Sequence, residues 1–145
     1  MRILKFFSIF VIGGLGYGVI ELLWRGRTHW TMLLTGGFCF IIIYLLSKID
    51  RIPMAYKCAM GAASITVVEF LVGCVVNRML GWQVWDYSML RFNIMGQVCL
   101  LFCIVWYFMC VPSLYLCRLL DKTLFVYYDS FFEKYRKKEF FKEDS

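Results

Sequence analysis

Four apolar stretches, each long enough to cross roughly 30 Å of hydrocarbon at about 1.5 Å per residue, occupy most of this chain. They cover residues 3–24, 30–47, 54–80 and 92–119, with short connections at 25–29 and 48–53 and a longer aromatic loop, GWQVWDYSMLR, at 81–91. Backbone groups find no water inside a bilayer, so apolar spans of this length form helices that satisfy their own hydrogen bonds. The expected fold class is all-α: a polytopic membrane protein with a four-helix transmembrane bundle over residues 1–119 and a C-terminal amphipathic juxtamembrane helix within 120–145. Four spans and their turns use most of the 145 residues and leave no room for a soluble catalytic domain. The composition agrees, at 61% hydrophobic against about 45–50% apolar for ordinary soluble domains.

The first stretch opens with Arg2 and Lys5, in the outline of a secretion signal. Its apolar part is too long for one, and no small-residue cleavage site follows, so it reads as a retained first helix. Basic residues flanking membrane spans collect on the cytoplasmic side. Twelve of the sixteen fall at the N-terminus (Arg2, Lys5), in the middle connection and its flank (Lys48, Arg51, Lys57) and from Arg118 onward. The other side carries only Arg25, Arg27, Arg78 and Arg91. This split predicts a cell-membrane protein with cytoplasmic N- and C-termini. It also leaves the outer side with arginine alone, the residue suited to bidentate pairing with carboxylate or phosphate.

Several polar residues then fall at membrane depth. Counted from Lys57 at about 1.5 Å per residue, Glu69 lies roughly 18 Å along the third helix, and Glu21 lies roughly 24 Å from Lys5 along the first. Arg25 follows Glu21 by one turn, in ion-pair register. Asn93 and Gln97 are expected one turn apart on one face of the fourth helix, with Asn77 and Arg78 near the outer end of the third. With His29, Trp85, Asp86 and Tyr87 from the outer loops, these residues are expected to form a polar, solute-binding pocket roofed by aromatics in the outer leaflet. Intramembrane charge costs about 2.5–3.5 kcal/mol per residue to insert, which makes such positions functional candidates. The bland counterparts are an i,i+4 ion pair for Glu21–Arg25, interhelical glue for Asn93 and Gln97, and aromatic-belt anchors for Trp82, Trp85 and Tyr87.

Gly14-x-x-x-Gly18, with Gly13 and Gly16, forms a small-residue seam that fits either a homo-oligomer or another helix of the same chain. TGGFCF at 35–40 echoes MGQVCL at 95–100, and Glu21 and Glu69 precede them at corresponding places, as in two tandem hairpins. The seven cysteines all sit in apolar stretches without a C-x-x-C pair and read as small core residues. After residue 120, Leu120, Leu124, Tyr128, Phe131, Phe132 and Tyr135 recur at helical spacing, so an amphipathic helix is expected along the inner leaflet, with 134–138 meeting anionic membrane lipid. The net charge of +6 is thereby explained by topology and lipid, and nucleic acid is not an expected partner. No phosphate loop, metal-ligand cluster or nucleophile motif is present, so no cofactor and no metal is expected, and any ATPase is a different chain.

Glu21-x-x-x-Arg25, Thr28-His29-Trp30, Gly36-Gly37, Glu69-x-x-x-Gly73-x-x-x-Asn77, Leu80-Gly81, Val84-Trp85-Asp86-Tyr87-Ser88 and Asn93-x-x-Gly96-Gln97-x-Cys99-Leu100 together carry a resemblance. Over residues 16–106 the chain resembles the bacterial, Firmicutes-type membrane proteins labelled putative ABC-transporter permease, type IV, with the Trp-Asp-Tyr-Ser element the most specific part. That resemblance implies solute transport driven by a separate ATPase subunit.

Three functions fit these features. The first is a small transporter or transport-complex permease subunit, with Glu69 as the proton- or cation-responsive carboxylate, Arg25 and Arg78 balancing it or binding an anion, and Trp85, Asp86 and Tyr87 gating the outer mouth. The second is an intramembrane enzyme acting on a lipid or lipid-linked substrate, with Glu69 or Asp86 as base and His29 or Arg25 assisting. The third is a structural or regulatory subunit whose polar residues lock the helices together.

Overall fold

The computed structural model describes residues 2–133, and each of the four expected spans contains a long helix. Helix α1 is Arg2–Arg25 and α2 is Trp30–Ser47. Helix α3 runs Met54–Met79, its last six residues, Cys74–Met79, widened into π-helix. Helix α4 runs Leu100–Glu133, with a π-helical stretch at Asp121–Phe125. Each is long and apolar enough to cross a membrane, and the chain is a multi-pass membrane protein.

Helix α2 is the central member. Of its most apolar window 61% is buried, against 22% for α1, 33% for α3 and 22% for α4, because α2 packs on all three others. Phe40, Ile43 and Tyr44 of α2 meet Ile9 of α1, Ile65 of α3, and Trp106, Cys110 and Leu114 of α4 in one core. Against α1 the approach is backbone-close. A Cβ on Gly14 would lie 2.5 Å from the Leu33 carbonyl oxygen, one on Gly37 would lie 2.7 Å from the Phe10 ring, and one on Gly36 would strike Tyr17. The Gly14-x-x-x-Gly18 seam is thus filled by the chain's own α2, as small residues in membrane helices allow.

Helices α1 and α4, by contrast, share no extended backbone packing. They are linked where their ends meet: Lys5 Nζ lies 2.9 Å from Asp129 Oδ2. Close by, Asp121 pairs with Lys48 and accepts a hydrogen bond from Tyr44 Oη at 3.0 Å. The start of α1, the connection at 48–53 and the far part of α4 therefore share one end of the bundle. The connections at 26–29 and 80–99 occupy the other.

The fourth span begins later than the sequence suggests. Residues 93–99 form a small antiparallel hairpin, Asn93–Ile94 pairing with Val98–Cys99, so Asn93 and Gln97 are not on a helix face. Phe92 (φ 54°), Met95 (φ 55°) and Gly96 (φ 71°) all adopt left-handed backbone, and the last two form a tight turn closed by Gln97 N–H to the Ile94 carbonyl at 3.0 Å. Asn93 favours this path by binding the backbone itself: its amide donates to the Leu90 carbonyl at 2.7 Å and its oxygen accepts from Gly96 N–H at 3.1 Å. The echo between 35–40 and 95–100 consequently has no structural counterpart, since the first lies within α2 and the second spans this turn.

At the opposite end, α4 continues unbroken past Leu120, with Leu120, Leu124, Phe125 and Tyr128 packed on the core. The basic run at 134–138 and Tyr135 lie outside the described residues.

Candidate functional site

One carboxylate organises the middle of the bundle. Glu69, 2% exposed, projects from α3 between α1 and α4. Tyr17 Oη donates to its Oε1 at 2.9 Å and Trp106 Nε1 donates to its Oε2 at 2.8 Å. The two donor rings stack on each other, with centroids 5.5 Å apart and planes at 27°. A buried polar group is tolerated when its hydrogen bonds are made, and both carboxyl oxygens of Glu69 have a partner here. No cation pairs with Glu69 among the described residues. Glu69 thereby holds Tyr17 and Trp106 in place across the gap between α1 and α4.

Above this stack lies a chamber of about 320 Å³. Tyr17, Ile20, Glu21, Trp24 and Arg25 of α1 form one wall, Phe102, Val105, Trp106 and Met109 of α4 the other, and Tyr87 closes the loop side. Glu21 and Arg25 form the expected ion pair. Glu21 Oε2 also accepts from Thr28 Oγ1 at 2.7 Å, and Arg25 Nη1 donates to the Val84 carbonyl at 3.2 Å. The pair is therefore fixed in place with its charges facing an otherwise apolar space. Tyr87 stacks on Phe102 at 4.6 Å. Burial, and after it the charge of Glu69, hold the Tyr87 phenol above its ordinary pKa, so it stays protonated as a hydrogen-bond donor. Below the stack the gap continues as a second space of about 330 Å³, lined by Ile12, Gly16, Phe40, Pro112 and Leu116. Tyr17, Ile20, Trp106 and Met109 border both.

A separate network builds the loops that roof the chamber. Asn77, near the end of α3, accepts from Val84 N–H at 2.7 Å and donates to Gln97 Oε1 at 2.8 Å. Trp85 Nε1 donates to the Gln97 carbonyl at 2.9 Å. One turn below Asn77, Gly73 makes room for this: a Cβ there would lie 2.5 Å from Gln97 Oε1 and 2.9 Å from the Trp85 ring. Asp86 turns back on its own loop, accepting from Ser88 N–H at 2.8 Å and Ser88 Oγ at 2.9 Å.

These motif residues coincide with a recognised family, because the model of the family described as Putative ABC-transporter type IV matches residues 5–135. The chain belongs to that family. No curated protein matches it, and no solved structure does. Within this type IV family member, the Glu69-x-x-x-Gly73-x-x-x-Asn77 spacing has a physical reading. Three residues on one stripe of α3 respectively hold the aromatic stack, seat Trp85 and Gln97, and pin the roof loop.

The structure therefore divides the residues singled out from sequence. Glu21, Arg25 and Tyr87 line the chamber, and Glu69 supports its floor from behind. Asn77, Trp85, Asp86, Asn93 and Gln97 are joined in the loop scaffold. His29 caps α2, its Nδ1 2.8 Å from Thr31 Oγ1, and stacks near Trp30 and Trp82; no hydrogen bond joins it to Glu69 among the described residues. Arg78 is exposed and lines none of these spaces. Tyr17, Trp106 and Phe102 were not anticipated. Tyr17 carried a signal, being one turn before Glu21 on the Glu21–Arg25 face; Trp106 carried none.

Proposed function

We propose that this chain is the membrane subunit of a transport complex, binding a solute with a polar or charged group in the chamber between α1 and α4. One observation carries this reading: a fixed Glu21–Arg25 ion pair faces an apolar chamber of about 320 Å³, within the range of about 300–1,000 Å³ typical of ligand sites. The bias of basic residues supports cytoplasmic termini and a chamber in the outer leaflet of the cell membrane. The family description supports a separate ATPase subunit as partner. Asp86 and His29 are engaged by their own loops and cap, which weighs against the catalytic alternative on a lipid.

The test is thermal unfolding of the purified chain in mild detergent with a panel of ions, metabolites and lipids, comparing wild type with Arg25→Gln and Glu69→Gln. A ligand that raises the wild-type melting temperature and fails to do so in Arg25→Gln supports the chamber as its site. If no ligand acts on wild type, the polar groups serve the fold alone.

A further inference from the structure

The lower of the two spaces beside the Tyr17–Trp106 stack is closed toward the end of the bundle where α1 begins. Ile12, Ile43 and Leu116 border that space. One turn further toward that end, Ile9 is fully buried and Leu120 packs against the core. We infer that this closure is a gate between the lower space and the aqueous side next to it, held shut by the Lys5–Asp129 ion pair. The inference rests on the transport reading above, which gives a gate its use.

Three observations carry it. First, the closure is a row of rings contributed by three helices. Phe6 of α1 meets Tyr44 of α2 at 6.1 Å, Tyr44 meets Phe125 of α4 at 6.0 Å, and Phe125 stacks on Tyr128 at 6.4 Å. No ring contact in this row joins α1 to α4 directly. The direct tie is Lys5, whose Nζ lies 2.9 Å from Asp129 Oδ2 and 5.4 Å from the centre of the Phe125 ring.

Second, this tie is a single one. Asp129 Oδ1 is buried and makes no hydrogen bond among the described residues, whereas Asp121, on the α2 side, is held by both Lys48 and Tyr44. The side chains of Lys5 and Asp129 are 23% and 48% exposed, so solvent and salt weaken their attraction. A closure that has to open needs such a tie, strong enough to favour one state and weak enough to release.

Third, α4 has a bending point at this level. It is π-helical at Asp121–Phe125, just before Asp129, and π-helical turns are places where long helices kink. Leu114 and Cys117, before that stretch, are fixed in the core. A bend there moves Asp129 away from Lys5 and leaves the main packing of α4 in place, since α1 and α4 share no extended backbone contact.

The experiment puts a thiol in the lower space by Gly16→Cys, at a position that borders the space and where a Cβ meets nothing within 4 Å. Its reaction with a charged, membrane-impermeant methanethiosulfonate is followed on the full chain in phosphatidylcholine nanodiscs, with each cysteine resolved by mass spectrometry. Lipid excludes the charged reagent, which reaches this thiol only when the space is joined to water. Asp129→Asn should raise the rate about two- to fivefold, as loss of an ion pair partly open to solvent allows, and Lys5→Glu combined with Asp129→Lys should bring it back. Salt raised toward about 1 M, where the screening length is about 3 Å, should speed the reaction with the pair intact and leave Asp129→Asn nearly unchanged. Asp121→Asn should do far less, because α2 and α4 are packed together in the core.

A rate that Asp129→Asn leaves unchanged overturns the gate. So does an equal rise at the native Cys99, 2% exposed at the opposite end, which would mean that the whole bundle has loosened. An effect of Asp121→Asn as large as that of Asp129→Asn overturns the assignment to Lys5–Asp129. No solute enters this measurement, so the two readings fail separately. If Asp129 controls the rate but no solute of the panel stabilises wild type, the transport reading falls and the ionic closure stands; if a solute acts and Asp129→Asn changes nothing, the closure falls alone.

Discussion

Glu69 Oε2 accepts a hydrogen bond from Trp106 Nε1 at 2.8 Å, across 37 residues of sequence and from α3 to α4. With Tyr17 donating to the other carboxylate oxygen, three helices meet at one side chain. Removing either donor leaves a buried carboxyl oxygen without its partner. Tyr17→Phe and Trp106→Phe should each destabilise the protein by about 1–3 kcal/mol, read by thermal unfolding in mild detergent. Glu69→Leu should cost more than Glu69→Gln, because it orphans both donors whereas the amide still accepts one bond. Equal effects from Leu and Gln would remove the hydrogen bonds from this account.

Gly73 predicts a steric effect. Its Cβ would crowd Gln97 and Trp85, whereas that of Gly16 would meet nothing. Gly73→Ala should destabilise by about 1–3 kcal/mol, as overpacking does, and should expose the 80–99 loops to limited proteolysis. Gly16→Ala should change stability by under about 0.5 kcal/mol. A tolerated Gly73→Ala would mean that the roof loop does not depend on its seat against α3.

The Lys48–Asp121 ion pair joins side chains that are 47% and 28% exposed. Screening by solvent limits such a pair to about 0–1 kcal/mol, so Asp121→Asn should lower stability slightly, and the difference should shrink as salt is raised. A large effect that salt leaves unchanged would point instead to the Tyr44 hydrogen bond as the stabilising contact.

Membrane orientation is open to direct measurement. Met89 is 94% exposed at the loop end, and Asp50 is exposed at the end that carries the termini. With both termini cytoplasmic, Met89→Cys should react with an impermeant thiol reagent in intact cells, and Asp50→Cys only after the membrane is opened. The reverse pattern would invert the topology.

The helices were legible because hydrocarbon thickness sets their length. The ends of α2 coincide with its apolar run, and those of α1 lie within a residue of theirs. The start of α4 was not legible, because 92–99 carries neither a proline nor a charge to mark a break from the helix that follows. Its turn is set by left-handed backbone at Phe92 and Met95, residues that rarely adopt it, and by the side-chain bonds of Asn93. Misplacing that start also hid Trp106, whose facing depends on helix phase. Glu21 and Arg25 could be read as partners because their spacing is local. The partners of Glu69 are 52 and 37 residues away, beyond any periodicity.

The glycine-lined contact of α1 with α2 also has a mechanical side. Where backbones touch with no side chain between them, two helices behave as a single plate. Where helices are joined only through side chains, as α1 and α4 are by ring contacts and the Lys5–Asp129 ion pair, the joint is the softer one. The bundle thus has a rigid spine along α1 and α2 and a seam bridged by side chains between α1 and α4, with Glu69 fastening the middle of that seam.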